Sequence, residues 1–493
     1  MADRLTFLSS FPLRAVALAA AALLAGCSLI PTYERPAAPI PGDWPATVAP
    51  GTAQPAAPAA ADLPWQSFFP DERLQRLLAT ALANNRDLRI AVLNIEAARA
   101  QYQIQRSAQY PAVGLAASAQ RAPNPLTGSQ LNTFSLGVAV TAWEIDFFGR
   151  IASLKEQALA QYLATEEGSR AAQTTLVATV ANLWLALLAD EELLDLSRRT
   201  VATREESIRL TKLRLDNGVA SELDFRQAES LTEVARATLA AQLRQRALDE
   251  NALALVLGQP LPEDIRTTLP SSRLADAPAM PELPTGLPSD LLANRPDIRQ
   301  SEQLLVAANA NIGAARAAFF PRISLTAQAG RASTELSGLF GDGGRWGFTI
   351  APQLLLPIFD AGRNRAGLAL SNVNRDIAVA QYERTIQTAF REVSDALAGQ
   401  ATLGEQLRAQ QAQAQAETVR FNLSDLRYRN GVSSYLDLLD AQRSLFVVQQ
   451  QVVQTRLAQL QNQVTLYKAL GGGVTEPLRA TVADVPAAQP PRR

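Results

Sequence analysis

The feature that most constrains this chain is a turn that occurs twice. The run Leu213 to Asp224 returns 213 residues later as Leu426 to Asp437, with Asn217-Gly218-Val219 answered by Asn430-Gly431-Val432 and Ser221, Leu223 and Asp224 answered by Ser434, Leu436 and Asp437. An Asn-Gly pair supplies the positive φ that a sharp reversal needs. Each copy is flanked by long helical patterns and so predicts the tip of a helical hairpin.

The repeat is wider than its tips. Asp87-Leu88-Arg89 through Tyr110-Pro111 is echoed by Asp297-Ile298-Arg299 through Phe320-Pro321 at an offset of 210, and Gly149-Arg150 by Gly362-Arg363 at an offset of 213. Two copies of a unit of roughly 200 residues therefore organise the chain. The expected layout is 65–258 for the first repeat, 259–294 for a Pro-rich connecting segment, 295–470 for the second repeat and 471–493 for a polar tail.

Within each repeat the period of the apolar residues switches. Val113, Leu115, Ala117 and Ala119, then Phe134, Leu136, Val138 and Val140, alternate with small or polar residues; Ile323, Leu325, Ala327 and Ala329, then Trp346, Phe348 and Ile350, do the same. Period two predicts strand pairs at about 112–142 and 322–355. Each pair is followed by a proline-free, Ala-, Leu- and Gln-rich run, predicting helical hairpins at about 151–257 and 362–470. At 1.5 Å per residue the first limb of each would be on the order of 100 Å long.

Four amphipathic strands cannot close a membrane barrel, because the smallest such barrels need about eight strands and an open edge is intolerable in lipid. Three copies would supply twelve. The alternative is a pair of β-hairpins capping a soluble coiled coil; the aromatic residues Phe134, Trp143 and Trp346 near strand ends favour the membrane.

Composition removes most chemistry. The chain has no histidine and one cysteine, so histidine acid/base catalysis, histidine metal ligands, an intrachain disulfide and a multi-cysteine metal site are all unavailable. Lys+Arg 46 against Asp+Glu 47 leaves no basic excess for nucleic acid. No phosphate-binding loop is present. Neither a cofactor nor a metal is expected.

An apolar run Ala15 to Ala25, preceded by Arg4 and Arg14, is closed by Leu24-Ala25-Gly26-Cys27, which holds the one cysteine. The run is too short to span a bilayer. It resembles a bacterial lipoprotein signal, with residues 1–26 removed, Cys27 acylated and Ser28 favouring the outer membrane. Residues 27–64, rich in Pro and Ala, are expected to be an extended tether.

Taken together, Cys27-Ser28-Leu29, Trp65 with Phe68-Phe69, Asn84 to Arg89, Trp143 to Arg150, Asn294 to Ile298, Ala314 to Pro321 and Tyr435 to Phe446 resemble the TolC-type outer membrane factors, in the lipoprotein branch of the outer-membrane efflux channels. The resemblance implies an α+β membrane protein. It would be a homotrimer with a shared twelve-stranded transmembrane β-barrel, four strands per chain, continuing into a long periplasmic α-helical barrel. It also implies no chemistry of its own, and an exit channel that takes substrate from an inner-membrane RND-type transporter through a periplasmic adaptor. The competing class is a lipid-tethered periplasmic coiled-coil scaffold.

Asp437 and Asp440 share a face of the helix leaving the second tip. In a threefold tube they would form carboxylate rings favouring cations; alone, they read as a solvated face near a helix N-terminus, where acids are favourable. The resemblance implies that Asp440, Arg443 and Tyr428 belong to a network closing the tube. Relatives do not all carry an acid at Asp437. It further implies that adaptor hairpins dock at Asn217, Gly218, Val219, Asn430, Gly431 and Val432.

Overall fold

A computed structural model describes residues 28–45, 60–123, 128–284, 286 and 288–473. The principal elements are helices α1 (Glu72–Asn84) and α2 (Arg86–Ser107), strands β1 (Val113–Pro123) and β2 (Gln130–Ile145), and helices α3 (Arg150–Asp216) and α4 (Glu222–Leu257). The second half repeats the order with α5 (Pro296–Ala317), β3 (Arg322–Ser333), β4 (Arg345–Leu355), α6 (Arg363–Arg429) and α7 (Tyr435–Ala469). α3 and α6 are both 67 residues long, and α2 and α5 both 22. The two compact units of the chain cut across this repeat, each drawing segments from both halves.

The first unit comprises residues 94–166 and 300–383 with the described part of the N-terminal segment up to Ala37. Its strands form one antiparallel sheet in the order β1-β2-β3-β4. Leu115 pairs with Val138, Val138 with Ala329 and Ala329 with Phe348, so the apolar residues of all four strands share a face. The other face carries Ser118, Ser135 and Gln328, with the two serine hydroxyls 2.7 Å apart. The apolar face is bare, Leu115 being 79% and Phe348 69% exposed.

β2 continues three residues beyond its expected end near 142. The pairing with β3 shifts between Val140 and Trp143, around Ala142 at φ 49°. This irregularity returns Trp143 to the apolar side, where simple alternation would have turned it away. Three pairs before Val140, Gly137 faces Gly330; a Cβ on Gly137 would stand 2.7 Å from the Gly330 Cα, so the two backbones meet with no room for a side chain. At the strand-to-helix junctions, Asp146 accepts from the Ala152 N–H at 2.7 Å and Asp360 from Gly362 and Asn364 at 2.9 Å. These carboxylates satisfy the orphan donors at the starts of α3 and α6.

The N-terminal segment, expected to be an extended tether, has no helix or strand over 28–45 and is anchored over 28–37. The Asn309 amide donates to the Pro31 carbonyl at 2.8 Å, and Glu302 receives Tyr33 at 3.2 Å and the Arg35 Nε at 2.7 Å. Single anchors of this kind have no periodicity, so nothing in the sequence marks them.

The second unit comprises residues 38–93, 167–299 and 384–473 of the described chain. Phe68 stacks on Tyr467 at 4.0 Å, Phe69 meets Tyr467 edge-on, and the Trp184 indole donates to Asp71 at 3.1 Å. Trp44 lies flat against Phe390 at 5.0 Å. α3 is the one described helix long and apolar enough to cross a membrane; 61% of that apolar stretch is buried inside the chain, so packing uses it.

One side chain joins the end of α4 to the start of α2. The Asn85 side chain accepts from the Leu88 N–H at 2.8 Å, capping α2, and donates to the Val256 carbonyl at 2.8 Å, capping α4. Arg295 does the corresponding work in the second repeat, donating to the Ala469 carbonyl at 3.1 Å while paired with Asp297 at 2.7 Å and Glu392 at 2.8 Å.

Candidate functional site

Both hairpin tips are built alike. Gly218 (φ 69°) and Gly431 (φ 72°) take the left-handed conformation that ends α3 and α6. The Val219 N–H reaches back to the Arg214 carbonyl at 2.8 Å and the Val432 N–H to the Arg427 carbonyl at 2.9 Å. The Asn217 and Asn430 amides each donate to the carbonyl four residues earlier, Leu213 and Leu426, at 2.7 Å. Ser221 and Ser434 then cap the departing helices. Val219 and Val432 stay exposed at 73% and 66%, presenting an apolar side chain at each tip.

Below the tips the two hairpins pack on one another. Ala228 from the first and Tyr428, Tyr435, Leu438 and Leu439 from the second form a buried cluster. The Arg214 guanidinium lies 4.4 Å over the Tyr428 ring and donates to the Tyr428 and Arg429 carbonyls at 3.3 Å. Ser207 and the Tyr435 hydroxyl are 3.0 Å apart, and burial raises the Tyr435 pKa. Arg204, buried, donates to Gln442.

Asp440 receives Arg443 at 2.9 Å on its own helix and Arg420 from α6. Arg420 also pairs with Glu417 at 3.2 Å. The Arg420 hydrogen bond holds the Asp440 carboxyl below the usual carboxylate range. Asp440 and Arg443 also line a groove with Arg226, Gln227 and Leu231 of the first hairpin.

The structure thus brings Asp440 and Arg443 together and adds Arg420, which the sequence reading passed over. Its signal was available: Arg420 and Asp440 are equidistant from Asn430, so folding the hairpin about that turn sets them opposite. Tyr428 is placed apart from this ion network, in the Tyr435 and Arg214 contact. Asp437 lies beside Arg420, Arg427 and Ser433 in an adjoining groove. Cys27 lies outside the described residues. Among the described residues no group of acidic or cysteine side chains could hold a metal ion.

The family described as outer membrane efflux protein matches residues 77–259 and 287–472. The toluene efflux pump outer membrane protein TtgC and the antibiotic efflux pump outer membrane protein ArpC, both of Pseudomonas putida, are each 48% identical over 458 residues, covering 92% of this chain and 93% of theirs. The open state of the MtrE outer membrane channel of Neisseria gonorrhoeae superposes with a TM-score of 0.80 at 38% identity, covering 91% of this chain and 98% of that one.

Proposed function

Because the chain belongs to the outer membrane efflux protein family, we propose that it is the passive exit duct of a tripartite efflux system, assembled as a homotrimer. The observation that carries this reading is the four-stranded sheet with a bare apolar face and no further strand on the outer edge of β1 or β4 among the described residues. Lipid would cover the face, but it cannot satisfy the edges. Joining β4 of one copy to β1 of the next keeps the pairing antiparallel, and three copies close a twelve-stranded barrel. The same rotation sets the helical hairpins side by side as a periplasmic tube.

In this arrangement the tips at Asn217-Gly218-Val219 and Asn430-Gly431-Val432 receive the periplasmic adaptor, which connects the duct to an inner-membrane RND-type transporter. The relatives named for toluene and antibiotics support apolar solvents and antibiotics as cargo. Asp440, with Arg443 and Arg420, is the closing element of the tube, and Asp437 the adjoining carboxylate. Discrete conductance of the purified trimer in planar bilayers is the expected result. A folded trimer that inserts without conducting would point instead to a tethered scaffold.

Cys27 supplies an acyl anchor in the same reading. Cys27→Ala is expected to abolish incorporation of radiolabelled fatty acid while leaving trimer formation intact, because strand pairing and not the lipid satisfies the edges. Continued labelling of the variant would remove Cys27 as the acylation site.

A further inference from the structure

One acidic pair, with Asp190 as its buried member, lies outside the tip network. Asp190 of α3 is 6% exposed, and its Oδ1 receives the Gln242 amide of α4 at 2.9 Å. Its Oδ2 is buried without a hydrogen-bond donor, while the carboxyl of Asp249, also on α4, stands within hydrogen-bond reach of Asp190. Two carboxylates cannot bond to each other unless one carries a proton.

The neighbouring charged groups on α3 and α4 have other partners. Glu191, next to Asp190, is bound by Arg246 at 2.6 Å, and Arg246 is also bound to Glu250. Glu192 receives the Ala275 N–H at 3.3 Å, and Asp249 has the Gln245 amide at 3.2 Å from each oxygen. Arg246 is therefore already held by two other carboxylates.

We propose that Asp190, facing Asp249, is a proton-binding site that latches α3 to α4, closed while Asp190 holds its proton and opened when the proton leaves. Burial, followed by the hydrogen bond to and charge of Asp249, pushes the Asp190 pKa up to about 7, which puts proton loss in the neutral range. The sign follows from linkage. A carboxyl whose folded pKa lies above its unfolded value of about 4 binds more protons folded than unfolded between the two values, so stability falls as pH rises through that window and is flat above it. The latch is closed in acid and open above neutrality. It is a property of the single hairpin and stands whether or not the chain conducts.

The test is amide hydrogen exchange on the full-length protein in detergent, corrected for intrinsic exchange, over residues 240–257 between pH 5 and pH 8. Native protein is expected to lose protection as pH rises, by up to roughly 10-fold per pH unit below the folded pKa. Asp190→Asn, whose amide donates to Asp249 at every pH, should hold protection constant, and Asp249→Asn should do the same should the first variant misfold. A flat native profile would overturn the proposal, and so would a native slope persisting in both variants.

Discussion

Arginine at position 138 is expected to cost about 2–4 kcal/mol of folding free energy in lipid if that site lies near the bilayer midplane, and arginine at position 139 far less. Val138 sits between Leu115 and Ala329 on the bare apolar face and is 50% exposed. Ala139 sits between Gly114 and Gln328 on the opposite face, with Ser135 and Thr349. A guanidinium at 138 must enter hydrocarbon or bend the sheet to escape it. One at 139 would point into the polar interior of the barrel. Three copies per assembly repeat each effect, so Val138→Arg should strongly reduce the fraction of inserted, folded trimer. Urea titration of folding into lipid vesicles reads the difference directly, and equal costs at the two sites would invert or abolish the assignment of faces.

The faces were legible because alternation is a local property of the chain, visible in Val113 to Ala119 and Phe134 to Val140 without any partner. What the sequence hid was set by register and by irregularity. Ala142 breaks the alternation, so the expected strand stopped near 142 although β2 pairs as far as Ile145 with Ile323. Likewise Pro123 pairs with Gln130 beyond the apolar band, since backbone hydrogen bonds do not need apolar side chains to continue.

At the site, the turns were readable from Asn-Gly and the following serines, but side-chain pairs across a hairpin are set by where the chain reverses. Asp190 and Asp249 are nearly equidistant from Gly218, as Arg420 and Asp440 are from Asn430; each pair becomes visible only when the chain is folded back on its turn. Arg204 with Gln442 joins different repeats, and no local pattern indicates it.

Asp440→Ala with Arg443→Ala is expected to open the duct. In the chain, Asp440 ties α7 to α6 through Arg420, and Arg443 adds a second bond from one turn along the same helix. Arg420, Asp440 and Arg443 are 44%, 40% and 68% exposed, so solvent screening limits each pair to about 0–1 kcal/mol. Losing about 1 kcal/mol in each of three chains would shift the open-to-closed ratio by up to roughly 100-fold, since 1.4 kcal/mol is a factor of ten. The three losses need not add. Higher single-channel conductance and entry of large antibiotics from outside are the expected readings, and Asp440→Ala alone should also weaken cation preference. Acid should act only at its extreme. The Arg420 hydrogen bond lowers the Asp440 pKa, so its contribution persists above the unfolded carboxyl value of about 3.9 and is lost as pH falls through the lower folded value. Conductance of the native trimer at neutral pH and at about pH 5 should therefore agree with respect to this group. Wild-type conductance and selectivity in a correctly assembled double variant would reduce Asp440 and Arg443 to a solvated helix face.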